Sequence, residues 1–177
     1  MHRPSNVHHQ ERAFLLVTAL TLGNATFGFL ALLLATTGRW TASLIALSLA
    51  IGCDTFDGML ARKWGVTSPF GAVLDTLADM ISFGVVPAYG LFVAAGETTF
   101  AASVATAYVV SGLLRLATFQ TTSFHGTYRG IPITVCAAAF VICSFVHAST
   151  FVLLLVACGS IVLMHAPFDI KKPTFFK

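Results

Sequence analysis

Four of the seven acidic residues in this chain, Asp54, Asp57, Asp75 and Asp79, fall within one 26-residue stretch. The sequence around them is apolar, and a carboxylate in an apolar helix is costly enough to read as functional by default. At about 100° per residue, Asp54, Asp57, Gly58 and Ala61 occupy an arc of about 100° on one helix, and Asp75 and Asp79 lie about 40° apart on the next. The loop between them, Lys63 to Phe70, is short and holds Gly65, Ser68 and Pro69, so the helices are expected to be antiparallel neighbours whose acidic faces meet. Four carboxylates in one small space cannot all ionise unaided, and hard divalent cations with oxygen ligands, Mg²⁺ or Mn²⁺, suit such a donor set. Two ions bridged by these groups would polarise a phosphoryl group and activate an oxygen nucleophile. Gly58 and Ala61 leave room for a ligand, and Arg62 and Lys63 place cations where phosphate oxygens could dock. Two other uses fit the same acids: buried ion pairs with Arg62, Lys63 and Arg115, or the lining of an ion pathway.

The elements that carry these residues follow from composition. The chain has 177 residues, 56% hydrophobic and 10% charged, with 16 Phe, and its mean hydropathy is +0.85. An average soluble domain is about one-quarter charged, so an ordinary soluble globule is excluded. The abundance of apolar residues excludes a disordered chain, and ten basic residues make no nucleic-acid-binding face. At roughly 20 residues per span, the length supplies about six membrane helices. Apolar runs place them at Ala13 to Thr37, Ala42 to Arg62, Phe70 to Ala94, Phe100 to Phe119, Ile131 to His147 and Thr150 to Pro167, with a tight turn at His147 to Thr150. The runs are continuous instead of alternating, which excludes a β-barrel. The expected fold is an all-α, six-transmembrane-helix bundle, with a polar segment at residues 1–12, a membrane domain at 13–168 and a basic tail at 169–177. The run after Arg12 is too long, and lacks the cleavage site, for a secretory signal; it is read as the first span. Nine of the ten basic residues fall on one side of this arrangement and only Arg39 on the other, which puts both termini in the cytoplasm. Cys53, Cys136, Cys143 and Cys158 form no Cys-x-x-Cys pair and read as small buried hydrophobes, and Trp40 and Trp64 as interfacial anchors.

The run Asp54-Thr55-Phe56-Asp57-Gly58-Met59-Leu60-Ala61-Arg62, followed by Gly71-Ala72-Val73-Leu74-Asp75-Thr76-Leu77-Ala78-Asp79, resembles the signature of the CDP-alcohol phosphatidyltransferase family: Asp-x-x-Asp-Gly-x-x-Ala-Arg, a spacer, then Gly-x-x-x-Asp-x-x-x-Asp. All eight defining positions are present. Within the family the chain is most similar to the short, integral-membrane phosphatidylserine synthases of bacteria, through Asn24 to Ala31 (NATFGFLA), Ser82 to Ala88 (SFGVVPA), and Leu113 to Phe119 (LLRLATF) followed by Gly130-Ile131-Pro132. The resemblance implies a six-helix homodimeric enzyme among the lipids of the bacterial cytoplasmic membrane, its active site facing the cytoplasm. It transfers a phosphatidyl group from CDP-diacylglycerol to the hydroxyl of L-serine and releases CMP. By the same resemblance Asp54, Asp57 and Asp75 are metal ligands holding the diphosphate, and Asp79 takes the proton of the attacking hydroxyl while touching a metal. Asp57, Gly58, Ala61 and Arg62 contact the CDP moiety, Asn24 and Gly71 join the donor site, and Gly71 also lets the motif helices pack closely.

Acceptor choice is expected after the fourth span. There the family commonly shows a basic residue and an Asn where this chain has Thr118 and Gln120, and an uncharged residue where it has Arg129. Arg115 fits either a substrate carboxylate or phosphate, or a topology-setting arginine that snorkels. Ser82 shares a helix face with Asp75 and Asp79 and could bond a substrate, an Asp or its own helix. Asn24 could bond the motif helices, the nucleotide, or act as helix glue. The same donor with glycerol phosphate or an inositol compound as acceptor is the second functional reading, and a divalent-cation transporter is the third. No Ser-His-Asp or Cys-His arrangement competes.

Overall fold

The computed structural model describes the backbone of residues 5–122, 128–166 and 169–170, and the side chains of residues 9–121 and 130–166. These residues form two compact units, Met1–Ser82 and Phe83–Lys177.

In the first unit, α1 (Ser5–Thr36), α2 (Trp40–Trp64) and α3 (Pro69–Asp79) follow one another through short turns. α1 starts inside the polar segment, because nothing between Ser5 and Arg12 breaks a helix. Small residues set its packing on α2: Ala31, Ala35, Ala46 and Ala50 are buried, and the Ser43 hydroxyl donates to the Ala31 carbonyl at 2.7 Å. Small contact residues allow close helix approach where lipid supplies no hydrophobic drive. Gly65 ends α2 with φ of 65°, and its N–H caps the Arg62 carbonyl. Four residues later α3 opens with Pro69 at its first position, and the Ser68 hydroxyl accepts from the Gly71 N–H at 3.0 Å. α1 packs along α2 and also meets α3, but α2 and α3 do not lie along one another.

A π-helical run, Met80–Val85, follows Asp79 directly and continues into α4 (Val86–Ala94). In the second unit α4 packs with α5 (Thr99–Thr122), α6 (Ile133–Phe145) and α7 (Thr150–His165). Phe83, Leu91, Ala101, Tyr108, Ile133, Ala137 and Met164 are in its core. The Tyr108 hydroxyl donates to the Phe83 carbonyl at 3.1 Å, one of the carbonyls at the π-helical run. Residues Tyr128–Arg129 (β1) pair antiparallel with Asp169–Ile170 (β2).

Among the described residues, four helices are long and apolar enough to cross a membrane: His9–Thr36, Trp40–Trp64, Pro69–Ala94 and Thr99–Thr121. The chain is thus a helical, multi-pass membrane protein. The fifth and sixth apolar helices are shorter than expected from the sequence, at 13 and 16 residues, or about 20 Å and about 24 Å at 1.5 Å per residue. Pro132 caps the start of α6, and His147 adopts a φ of 52° at the turn after it. α7 gives way at Ala166, which is extended ahead of Pro167. Of the four cysteines only Cys136 is buried; Cys53 and Cys143 are half-buried and Cys158 is exposed, so Cys158 does not belong to the core as its apolar surroundings suggested.

Candidate active site

Helical spacing does bring the acids together. Asp54 and Asp57 from α2 and Asp75 from α3 each offer a carboxylate oxygen, and these atoms lie within 4.8 Å of one another. The helices meet here through side chains and not along their lengths: α1 holds both, and the acids reach into the space between. Asp57 is 4% exposed and Asp79 is 7% exposed. Asp57 Oδ2 and Asp75 Oδ1 are buried without a hydrogen-bond partner. A buried carboxylate oxygen lacking a donor is costly, and the two at Asp57 and Asp75 face a neutralising partner that a cation or a proton can supply. An all-oxygen, all-carboxylate set suits a hard divalent ion, so this cluster can hold a metal.

Asp79 joins the cluster from the side. It lies within hydrogen-bonding reach of Asp54, and its Oδ1 accepts from Asn24 Nδ2 at 3.0 Å. Asn24 is fully buried on α1, and its own Oδ1 has no partner. Of the uses open to Asn24, the structure shows the bond to a motif helix, at Asp79. Thr21, one turn earlier on α1, approaches the Asp57 carboxylate while its hydroxyl also reaches the Val17 carbonyl at 3.1 Å.

Ser82 takes a partner the sequence did not suggest. Its hydroxyl, fully buried, donates to the Asn24 carbonyl at 3.0 Å, across to α1 instead of within its own helix. Gly28 makes that approach possible: a Cβ at position 28 would fall into the Ser82 side chain and within 2.8 Å of its Cα. Thr21, Asn24 and Gly28 recur at i, i+3 and i+7, a polar and small stripe in an apolar helix. That spacing is the signal from which Thr21 and Gly28 could have been found.

The remaining candidates divide. The Arg62 guanidinium folds back toward Gly58, 3.5 Å from where a Cβ there would stand, so the two share one surface near the acids. Gly71 does not serve the packing of the motif helices: a Cβ there would meet only the Ser68 hydroxyl, at 3.2 Å, because Gly71 lies in the capped first turn of α3. Arg115, in the second unit, is 7% exposed and does not snorkel. Its Nε and Nη2 donate to the carbonyls of Ile131 at 3.3 Å and Gly130 at 3.4 Å, and its guanidinium lies 5.7 Å from the Phe119 ring centre. The Arg129 side chain and the basic residues of the tail lie outside the described residues.

Comparison with known proteins agrees with the motif. The sequence profile of the CDP-alcohol phosphatidyltransferase family matches residues 14–167. The chain is 38% identical over 130 residues to an archaetidylserine synthase of Methanothermobacter thermautotrophicus, covering 71% of this chain and 55% of that protein. It is 41% identical over 114 residues to a CDP-diacylglycerol–serine O-phosphatidyltransferase of Methanocaldococcus jannaschii, covering 64% and 52%. It is 32% identical over 161 residues to the protein of that name in Bacillus subtilis, covering 89% of each. The chain thus spans about half the length of the two archaeal relatives. With the eight motif positions on two helices whose acids converge, and a family match across most of its length, the chain belongs to the CDP-alcohol phosphatidyltransferase family.

Proposed function

We propose that this protein transfers a phosphatidyl group from CDP-diacylglycerol to the hydroxyl of L-serine, forming phosphatidylserine and CMP. The observation that carries the reading is the convergence of Asp54, Asp57 and Asp75 on the family motif, with two buried oxygens left without a donor. The names of the archaeal and Bacillus relatives support serine as acceptor.

In this reading Asp54, Asp57 and Asp75 hold divalent ions, two of Mg²⁺ or Mn²⁺, with Asp79 at their edge. Such ions, when bound, neutralise the diphosphate and make its phosphorus more electrophilic. Gly58, Ala61 and Arg62 receive the CDP moiety, since Gly58 exposes backbone and the Arg62 guanidinium stands over it. Asp79 accepts the proton of the serine hydroxyl as that oxygen bonds to phosphorus. The bond from phosphorus to the CMP oxygen breaks, and CMP leaves with the electron pair. Arg115 and Arg129 are proposed for the acceptor carboxylate, which a guanidinium can bind in bidentate fashion. Ser82, whose proton is engaged by the Asn24 carbonyl, is assigned to positioning instead.

The proposed setting is a homodimer in a bacterial cytoplasmic membrane, with six spans at 13–168, both termini and the active site on the cytoplasmic side, and polar ends at 1–12 and 169–177. The distribution of Lys and Arg supports this orientation. The test is CMP release from CDP-diacylglycerol by the purified protein with serine, glycerol phosphate and inositol compounds in turn, with and without Mg²⁺ or Mn²⁺. Serine-dependent, metal-dependent CMP release is expected; release with another acceptor alone would reassign the substrate.

A further inference from the structure

The bonds around Asn24 form a two-point link between α1 and the turn that carries Asp79. The Asn24 side chain donates to Asp79 Oδ1 at 3.0 Å, and the backbone carbonyl of the same residue accepts from Ser82 at 3.0 Å. Asn24 and Ser82 are both fully buried. The link spans Asp79 to Ser82, where the chain passes from α3 into the π-helical run beginning at Met80. π-helical turns often occur at functional sites.

The chemistry of the carboxamide sets its orientation. The Asn24 NH₂ faces Asp79 Oδ1 and donates to it, as suits an ionised carboxylate, which only accepts. The oxygen is then left buried with no partner. A residue serving only to fill space between α1 and α3 would do so without an unpaired oxygen, so the bond from the side-chain amide to Asp79 is what orients that amide about its own side chain. Gly28 and Ser82 hold the backbone that presents it.

We propose that Asn24 is a positioning residue for Asp79: its amide fixes the carboxylate rotamer at the reacting hydroxyl, and the Ser82 bond to the Asn24 carbonyl fixes the amide. Asn24 acts through Asp79 and not on the donor nucleotide. The inference rests on the transferase reading above for Asp79 as base. A displacement of about 1 Å in a reacting group can lower a rate by about 10²-fold.

The experiment compares wild type, Asn24→Leu, Asn24→Asp and Ser82→Ala as full chains in lipid nanodiscs. Three quantities are read: kcat and KM for CMP release, affinity for CDP in the presence of Mg²⁺ by calorimetry, and the infrared band of the Asp79 carboxyl group, identified by its loss in Asp79→Asn. Both Asn24 variants are expected to lower kcat by about 10²-fold, and Ser82→Ala by less, with CDP affinity and the KM for CDP-diacylglycerol within about twofold of wild type. Retained CDP affinity also shows that a variant is folded. The Asp79 band should move in Asn24→Leu, which removes the donor without adding charge. The proposal is overturned if kcat is retained, if CDP affinity falls along with activity, or if the band does not move. Should wild type release no CMP with any acceptor, the transferase reading fails separately, and the infrared band alone decides whether Asn24 holds Asp79.

Discussion

Ser82 stands where a side chain at position 28 would have to stand, its Cα 2.8 Å from an ideal Cβ on Gly28. Backbone is met as well as side chain, so the contact cannot be relieved by a rotamer change. Gly28→Ala should therefore force α1 away from the Asp79 turn, at a cost of about 1–3 kcal/mol, as overpacking of a tight contact does. Gly159 in α7 meets nothing within 4 Å. Gly159→Ala should be neutral or stabilise by up to about 1 kcal/mol through helix propensity. Thermal unfolding midpoints in detergent compare the two, and a Gly28→Ala midpoint equal to wild type would contradict the close approach.

Asp57→Asn and Asp75→Asn each remove charge from the convergent cluster while preserving shape. Their buried oxygens without a hydrogen-bond partner, Asp57 Oδ2 and Asp75 Oδ1, are the observation behind the ligand roles proposed for them. Loss of an outer-shell partner already weakens metal binding by about 10–100-fold, so loss of a ligand should raise the Mg²⁺ or Mn²⁺ concentration for half-maximal activity by at least about 100-fold. Thorough chelation of the wild type should abolish turnover, and added Mg²⁺ or Mn²⁺ should restore it. Titration of CMP release with metal measures both.

Asp79→Asn should separate chemistry from binding. The amide cannot accept the proton of the attacking hydroxyl, and general-base loss typically lowers the rate by about 10²–10⁴-fold. Asp79 lies outside the closest trio of carboxylates, so CDP affinity should fall far less than kcat. Undiminished CMP release by the variant would remove Asp79 from the base role.

How much of this could be read beforehand depends on the range of the interaction. The pairs Asp54/Asp57 and Asp75/Asp79 were visible because helical periodicity is local and the acids are scarce in an apolar chain. The end of α2 and start of α3 were marked by Gly65, Ser68 and Pro69, which act through their own backbone. The role of α1 was not legible: Asn24 reaches a residue 55 positions away, and its alternatives had equal standing until a partner appeared. Spacing puts Ser82 on the face of Asp75 and Asp79 but cannot reveal its bond to Asn24, since spacing along one helix does not show a carbonyl on another. The packing duty that the motif suggests for Gly71 is not met, because its neighbour is Ser68 in the first turn of α3, a relationship that motif membership does not display. The lengths of α6 and α7 were overestimated because hydropathy continues past Pro132 and the turn at His147, whereas backbone geometry does not.

Arg115 supplies the last test. Its guanidinium, 7% exposed, donates in two directions to the successive carbonyls of Gly130 and Ile131, the backbone that leads into α6. A lysine ammonium on a flexible stem lacks the planar fork that matches two fixed acceptors. Hydrogen bonds from charged donors contribute about 1.5–3 kcal/mol each, and Arg115→Lys should lose about one of them. The unfolding midpoint should fall while the KM for CDP-diacylglycerol stays near wild type. The KM for serine then distinguishes two duties: a rise of tenfold or more assigns the guanidinium to the acceptor as well, whereas an unchanged value confines Arg115 to holding the entry to α6. An unchanged midpoint would mean that the two carbonyls find other donors and that the buried guanidinium does not anchor this segment.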